Sequence, residues 1–107
     1  MVGVSAFPAF VSPGAAPTVE DVLDHVDHIV AVAGVDHVSL GLDFTDLPRK
    51  RFPSDPLSDP PYHFPEGLSS FADLPRFRER LSARGYGDAE LDKIFGGNLV
   101  RILRRVW

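Results

Sequence analysis

Apolar and polar positions change period several times along the chain, and each change marks an element. Val2, Val4 and Ala6, with Phe7 beside them, predict a strand over residues 2–7, and Pro8 interrupts its continuation. Pro13, Gly14 and Pro17 make residues 8–17 a loop. Thr18 then reads as a helix N-cap, with Glu20 and Asp21 in the first turn where the helix dipole favours acids. Val22, Val26, Ile29, Val30 and Ala33 recur at helical spacing, which predicts a helix over 19–33 that Gly34 stops. A second strand, 37–43, follows within HVSLGLDF. Neither strand alternates strictly, as expected of strands covered on both faces. Strand, helix and strand form a βαβ unit, so the two strands are expected to be parallel, with a right-handed crossover.

Residues 44–72 are expected to be mostly loop, and six of the ten prolines fall within it: Pro48, Pro53, Pro56, Pro60, Pro61 and Pro65. A loop of this length in a compact domain is either functional or disordered. Phe52, Tyr62 and Phe64 favour a packed loop, because disordered linkers are poor in aromatics. The remainder predicts helices over 73–84, 89–95 and 98–106. Asp73, Asp88 and Asn98 are the expected caps, and Gly85 and the Gly96-Gly97 pair the breaks. In the last helix Leu99, Ile102, Leu103 and Val106 are expected to face inward and Arg101, Arg104 and Arg105 outward. Two parallel strands cannot close a core, so strand counting alone makes the chain part of a larger α/β fold.

Composition narrows the function classes. The 107 residues suffice for one domain, and 44% apolar with 24% charged residues is ordinary for a globular protein. A net charge of −4 argues against nucleic acid as the main partner. That balance hides an asymmetry: residues 1–48 hold seven acids and no Lys or Arg, whereas residues 74–107 hold eight Lys/Arg and four acids. The basic charges fall among helical apolar positions, so a solvated helix face is expected rather than a nucleic-acid patch. There is no cysteine, no apolar run of membrane-spanning length and no basic, apolar leader at Met1. A cytoplasmic, soluble protein is expected.

Candidate chemistry centres on few residues. Asp43 ends the second strand, the end at which parallel α/β folds build their sites, and a carboxylate there is costly unless something needs its charge. A structural role for Asp43, capping the loop, is the competing reading. Asp46 is the weaker acid, since acids in turns commonly bond their own backbone. His63 lies in the long loop, within reach of a ligand; His37 opens the second strand from the opposite end. Asp24, His25, Asp27 and His28 share the first helix at metal-ligand spacing, but no third ligand stands at a recognisable distance, so polar residues on a helix surface, one histidine packed or hydrogen-bonded among them, are the better reading. Gly96-Gly97-Asn98 resembles an anion-binding turn, yet a break between two helices needs no ligand.

DHVDHIVAVAGVDHVSLGLDF, followed by EGLSSFADLPRFRERLSARGYGDAELDKIFGGNLVRILRRVW, resembles the C-terminal end of the membrane (renal-type) dipeptidase family, zinc metallodipeptidases of the amidohydrolase superfamily. The ordered set DHxDHI, HVxxGxDF, GLxxFxDLP, RGY and GGNxxR carries the resemblance across nearly the whole chain. It implies an α/β fold, a C-terminal fragment of a (β/α)8 TIM barrel holding its last two strands and following helices. It further implies hydrolysis of dipeptides at a binuclear zinc centre, with Asp43 handling the proton of the attacking water. The family's zinc ligands lie on earlier strands and have no counterpart here. The chain alone is therefore expected to hold no metal and to be inactive, its missing partner being the N-terminal barrel segment. The family's DFDG reads Asp43-Phe44-Thr45-Asp46, and FPAF replaces the polar run after the preceding strand, so no substrate-binding residue is carried over. The alternative is a non-catalytic interaction module, or one half of a split barrel.

Overall fold

In a computed structural model of the chain, which describes residues 1–12, 16–44 and 63–107, the architecture is mixed α/β. Strand β1 (Val2–Val4) is followed by a four-residue helical turn α1 (Pro8–Val11) and the long helix α2 (Val19–Ala33). A 3-10 turn (Val35–His37) leads into strand β2 (Val38–Leu40). Beyond the Pro-rich stretch come a 3-10 turn (Phe71–Asp73), helices α3 (Leu74–Ala83) and α4 (Asp88–Asp92), a π-turn (Lys93–Gly97) and helix α5 (Asn98–Val106).

The two strands pair in parallel, Val2 opposite Val38, Gly3 opposite Ser39 and Val4 opposite Leu40. The pairing continues beyond the strands, with Gly41 N–H donating to Val4 O at 3.0 Å and Ala6 N–H to Leu42 O at 3.3 Å. Both strands are shorter than the apolar runs suggest. His37 belongs to the 3-10 turn rather than to β2, and Phe7 N–H leaves the ladder to bond the Ser5 hydroxyl, after which Pro8 opens α1. That turn occupies part of the stretch expected to be loop.

Helix α2 begins where its chemistry directs. Thr18 Oγ1 accepts from Asp21 N–H, and Asp21 Oδ2 accepts from Thr18 N–H at 2.7 Å, a reciprocal capping box. The helix ends at Gly34, whose φ of 85° is open to glycine at little cost. Val22, Leu23 and Val26 are buried in one cluster with Val4 of β1, Ala6 just after it, and Val38 and Leu42 from the second strand segment. Phe77 and Leu81 of α3, Leu91 of α4, and Ile94 complete the core with Leu68. Each such side chain contributes about 2 kcal/mol by leaving water, before conformational entropy is subtracted.

Several caps differ from expectation. Asp73 makes no cap bond to α3; its carboxylate turns back to accept the N–H groups of Ser69 (2.8 Å) and Ser70 (3.0 Å), closing the preceding 3-10 turn. Gly87, not Asp88, is the N-cap of α4, and its N–H donates to Glu90 at 2.9 Å. Asn98 is the first residue inside α5, and its amide is buried instead of capping. The Gly96-Gly97 pair makes the turn between α4 and α5. Gly96 has φ 153°, and a Cβ on Gly97 would stand 3.0 Å from Asp92 O. The inward orientation expected in α5 also fails in part: Leu99 and Val106 are exposed, as are Val100 and Trp107 beside them, while Ile102 and Leu103 are half-buried.

Residues 45–62 hold five of the six loop prolines, together with Phe52, Tyr62 and Asp46, and these expectations lie outside the described residues. Of the same stretch Pro65 is buried, and Thr18 and Glu66 form an isolated parallel bridge, so the segment from residue 63 onward packs beside the start of α2.

Candidate functional site

The strand ends carrying Ser5 and Asp43 lie side by side. Asp43 follows the last paired residue of the β2 segment and adopts φ 58°, the one non-glycine residue in the left-handed region among those described. Aspartate is among the few L residues that enter this region readily, and such conformations concentrate at functional sites. The turn aims the carboxylate toward the β1 side, where Ser5 Oγ donates to Asp43 Oδ2 at 3.0 Å, while Asp43 stays exposed. The Ser5 hydroxyl in turn accepts Phe7 N–H at 3.0 Å.

An aromatic group surrounds this end of the strand pair. Phe44 stacks edge-on against Phe64 (5.6 Å) and Phe71 (5.2 Å), and Phe7 approaches Phe10 (5.3 Å) and Phe64 (6.2 Å). Phe64 packs on Phe44, the residue after Asp43, and His63 just before it is exposed, whereas His37 lies at the other end of β2. Asp46 is outside the described residues. Sequence reasoning singled out Asp43 and missed Ser5; an isolated serine in an apolar strand carries no signal until the register of the strands is known.

The polar groups of α2 have a different job. Arg84 donates to Asp24 (2.7 Å), Asp27 (2.5 Å) and Glu20 (2.5 Å), Arg80 pairs with Glu20, and Tyr86 OH donates to Asp27 at 2.7 Å. Burial opposes the Arg84 charge, but the three carboxylates outweigh it and raise its pKa; burial, then the bond to Asp27, raises that of Tyr86. These bonds clamp α3 and the turn after it onto α2. They also resolve the charge asymmetry, since basic residues of the last third pair with acids of the first, in addition to lying on solvated faces. His25 Nε2 is 3.0 Å from Val11 O. Among the described residues no three His, Asp or Glu side chains converge as metal ligands, and no helix is long and apolar enough to cross a membrane.

The Gly96-Gly97-Asn98 turn is likewise structural. Asn98 Nδ2 donates to Val35 O and Val38 O, both at 2.8 Å, and its side chain faces the second strand rather than a ligand.

The chain is 33% identical over 88 residues to dipeptidase 3 of Rattus norvegicus, covering 82% of this chain and 15% of that protein. It is 34% identical over 89 residues to dipeptidase tcpJ of Claviceps purpurea, covering 83% of this chain and 18% of that one. A crystal structure of a metallo peptidase from Rhodobacter sphaeroides, liganded with a phosphinate mimic of the dipeptide L-Ala-D-Ala, superposes on the whole chain and on 27% of its own length, with a TM-score of 0.75 and 26% identity. The chain therefore spans about a quarter or less of the length of the relatives it matches. The family model described as membrane dipeptidase, peptidase family M19, matches residues 1–107. Matched from its first residue to its last, the chain belongs to the membrane dipeptidase family.

Proposed function

We propose that residues 1–107 form the last two strands and following helices of a (β/α)8 dipeptidase barrel, and that Asp43 is its proton-handling acid. The observation that carries this reading is the placement of Asp43. Its exposed carboxylate stands at the C-terminal end of a parallel strand, turned by a left-handed residue and held by Ser5, the end at which barrel enzymes assemble their sites. The substrate class is a dipeptide, in keeping with the dipeptidase relatives. The phosphinate bound by the Rhodobacter sphaeroides enzyme has the tetrahedral shape that a peptide carbonyl takes when water adds to it. In this reading Asp43 takes the proton of the attacking water and returns it to the leaving amine.

The family name and that solved relative imply a metal, and a pair of zinc ions is the expectation from the resemblance. The described residues do not fit it: Asp24 and Asp27 are committed to Arg84, His25 lies against a carbonyl, and no ligand set converges. We assign the ligands to the segment that completes the barrel, and we propose that residues 1–107 alone hydrolyse no dipeptide.

The test is a chimera in which residues 1–107 replace the matching quarter of the Rhodobacter sphaeroides enzyme. Asp43→Asn should keep the melting temperature and metal content and lower kcat by about 100-fold or more, as loss of a positioned proton-transfer group does. Asp46→Asn should cost much less. Equal losses in the two variants, or near-full kcat with lowered stability in Asp43→Asn, would make Asp43 a structural cap.

A second reading rests on α5, whose Leu99, Val100 and Val106 are exposed together with Trp107 just after it. Here the chain is one half of a split barrel, docking through that face onto a separately made N-terminal half. Co-expression of the two halves as separate chains, followed by co-purification with dipeptidase activity, would distinguish it from a single continuous enzyme.

A further inference from the structure

We propose that Ser5 is the positioning residue of Asp43, an inference that rests on the catalytic reading of that acid. A hydroxyl has one proton and can rotate it toward any acceptor nearby. At Ser5 the rotation is restricted. Phe7 N–H donates to Oγ at 3.0 Å and takes one of its two acceptor lone pairs, while the hydroxyl proton goes to Asp43 Oδ2, also at 3.0 Å. Ser5 is thereby a fixed donor, matched to the ionised carboxylate, which only accepts.

The bond does two things for the proton-handling role. It engages one lone pair of Oδ2, which leaves Oδ1 the freer oxygen to receive a proton drawn from water. It also joins positions 38 residues apart across the ends of the two strands, holding an exposed carboxylate that would otherwise sample several rotamers from a left-handed backbone. The main-chain anchor at Phe7 is the N-cap residue of α1, so the donor is placed by the start of that turn on one side and by strand register on the other. Preorganisation of this kind changes the rate of the chemical step more than the binding of substrate.

The experiment is a double-mutant cycle in the chimera, with a dipeptide substrate. Ser5→Ala should lower kcat about tenfold, the scale of one hydrogen bond to a charged group, with KM within about twofold. Ser5→Thr, which keeps the hydroxyl, should stay within about threefold of the parent kcat. In the Asp43→Asn background Ser5→Ala should add no further loss, because the carboxylate it positions is gone. Parent-like kcat in Ser5→Ala, alongside a slow Asp43→Asn, would overturn the role of Ser5 and leave that of Asp43 standing. So would the same fractional loss in both backgrounds, which would mean that Ser5 acts through the fold. Should Ser5→Ala unfold, Ser5→Thr decides: a tenfold loss despite the retained hydroxyl refutes positioning. If Asp43→Asn itself keeps full kcat, the catalytic reading falls first and the role of Ser5 with it.

Discussion

Asn98 Nδ2 lies 2.8 Å from Val38 O, on the edge of β2 that faces away from β1. The side follows from strand alternation. Gly41 N–H points to β1, and Val38, an odd number of positions earlier, points the other way. The second amide proton goes to Val35 O in the preceding 3-10 turn, which also accepts Val38 N–H, so one side chain bonds both the turn and the edge carbonyl that β1 does not reach. Asn98 is 1% exposed, and its bonds anchor the start of α5 to the strand that carries Asp43.

Replacing Asn98 by Ala should therefore destabilise the fold by about 1–3 kcal/mol, the cost of leaving the buried Val38 carbonyl without a donor. Asn98→Asp should be worse at neutral pH, since a carboxylate would face two carbonyl oxygens, and should recover relative to the parent on acidification, when the protonated acid can donate. Urea denaturation at pH 7 and pH 4 checks both. An Asp variant as stable as the parent at pH 7 would mean that water fills the site.

Arg84 faces three carboxylates while its own side chain is 23% exposed. Arg84→Met should cost about 1–2 kcal/mol, because Glu20, Asp24 and Asp27 would then repel one another on one face of α2. Arg84→Lys should recover part of this, a point charge being unable to reach all three acids in the fork geometry. Raised salt should narrow the gap between the parent and Arg84→Met. Thermal melts at low and high ionic strength measure it.

The Ser69 N–H above all holds the Asp73 carboxyl below its ordinary value; burial opposes it, and the Ser70 N–H adds to the lowering. Since the folded value is the depressed one, the stabilisation is fully present above the unfolded carboxylate pKa and is lost as pH falls through the folded value. Asp73→Asn should thus be less stable than the parent at pH 7, and the difference should shrink steadily below about pH 4. Denaturation midpoints from pH 7 to pH 2 test the sign. A gap that widens on acidification would refute the assignment.

Purified residues 1–107 should bind no stoichiometric zinc, since structural sites take four protein ligands and catalytic ones three, and the described residues bring no such set together. Elemental analysis after dialysis gives the answer. One zinc per chain, lost in a His25→Ala/His28→Ala double variant, would restore the α2 histidines as ligands.

What the sequence by itself determined was local. Helix α2 runs from Val19 to Ala33 as its apolar spacing predicts, because the Thr18 and Asp21 cap and the Gly34 stop act within a few residues of the chain they end. The parallel pairing was legible from strand, helix and strand, and the membrane dipeptidase family from an ordered set of short motifs. Asp43 could be singled out because an acid ending an apolar strand is a local contradiction. Tertiary structure alone decided what the other polar residues do. Asp73 and Asn98 look like caps in sequence, yet one closes the turn before its helix and the other reaches 60 residues back to Val38. Arg84 reads as a solvated helix residue and is a clamp on α2. Ser5 meets Asp43 only because the strand register brings positions 38 apart together. Caps and periodicities are set by neighbours along the chain. A hydrogen bond between distant residues depends on register and packing, which local sequence does not encode.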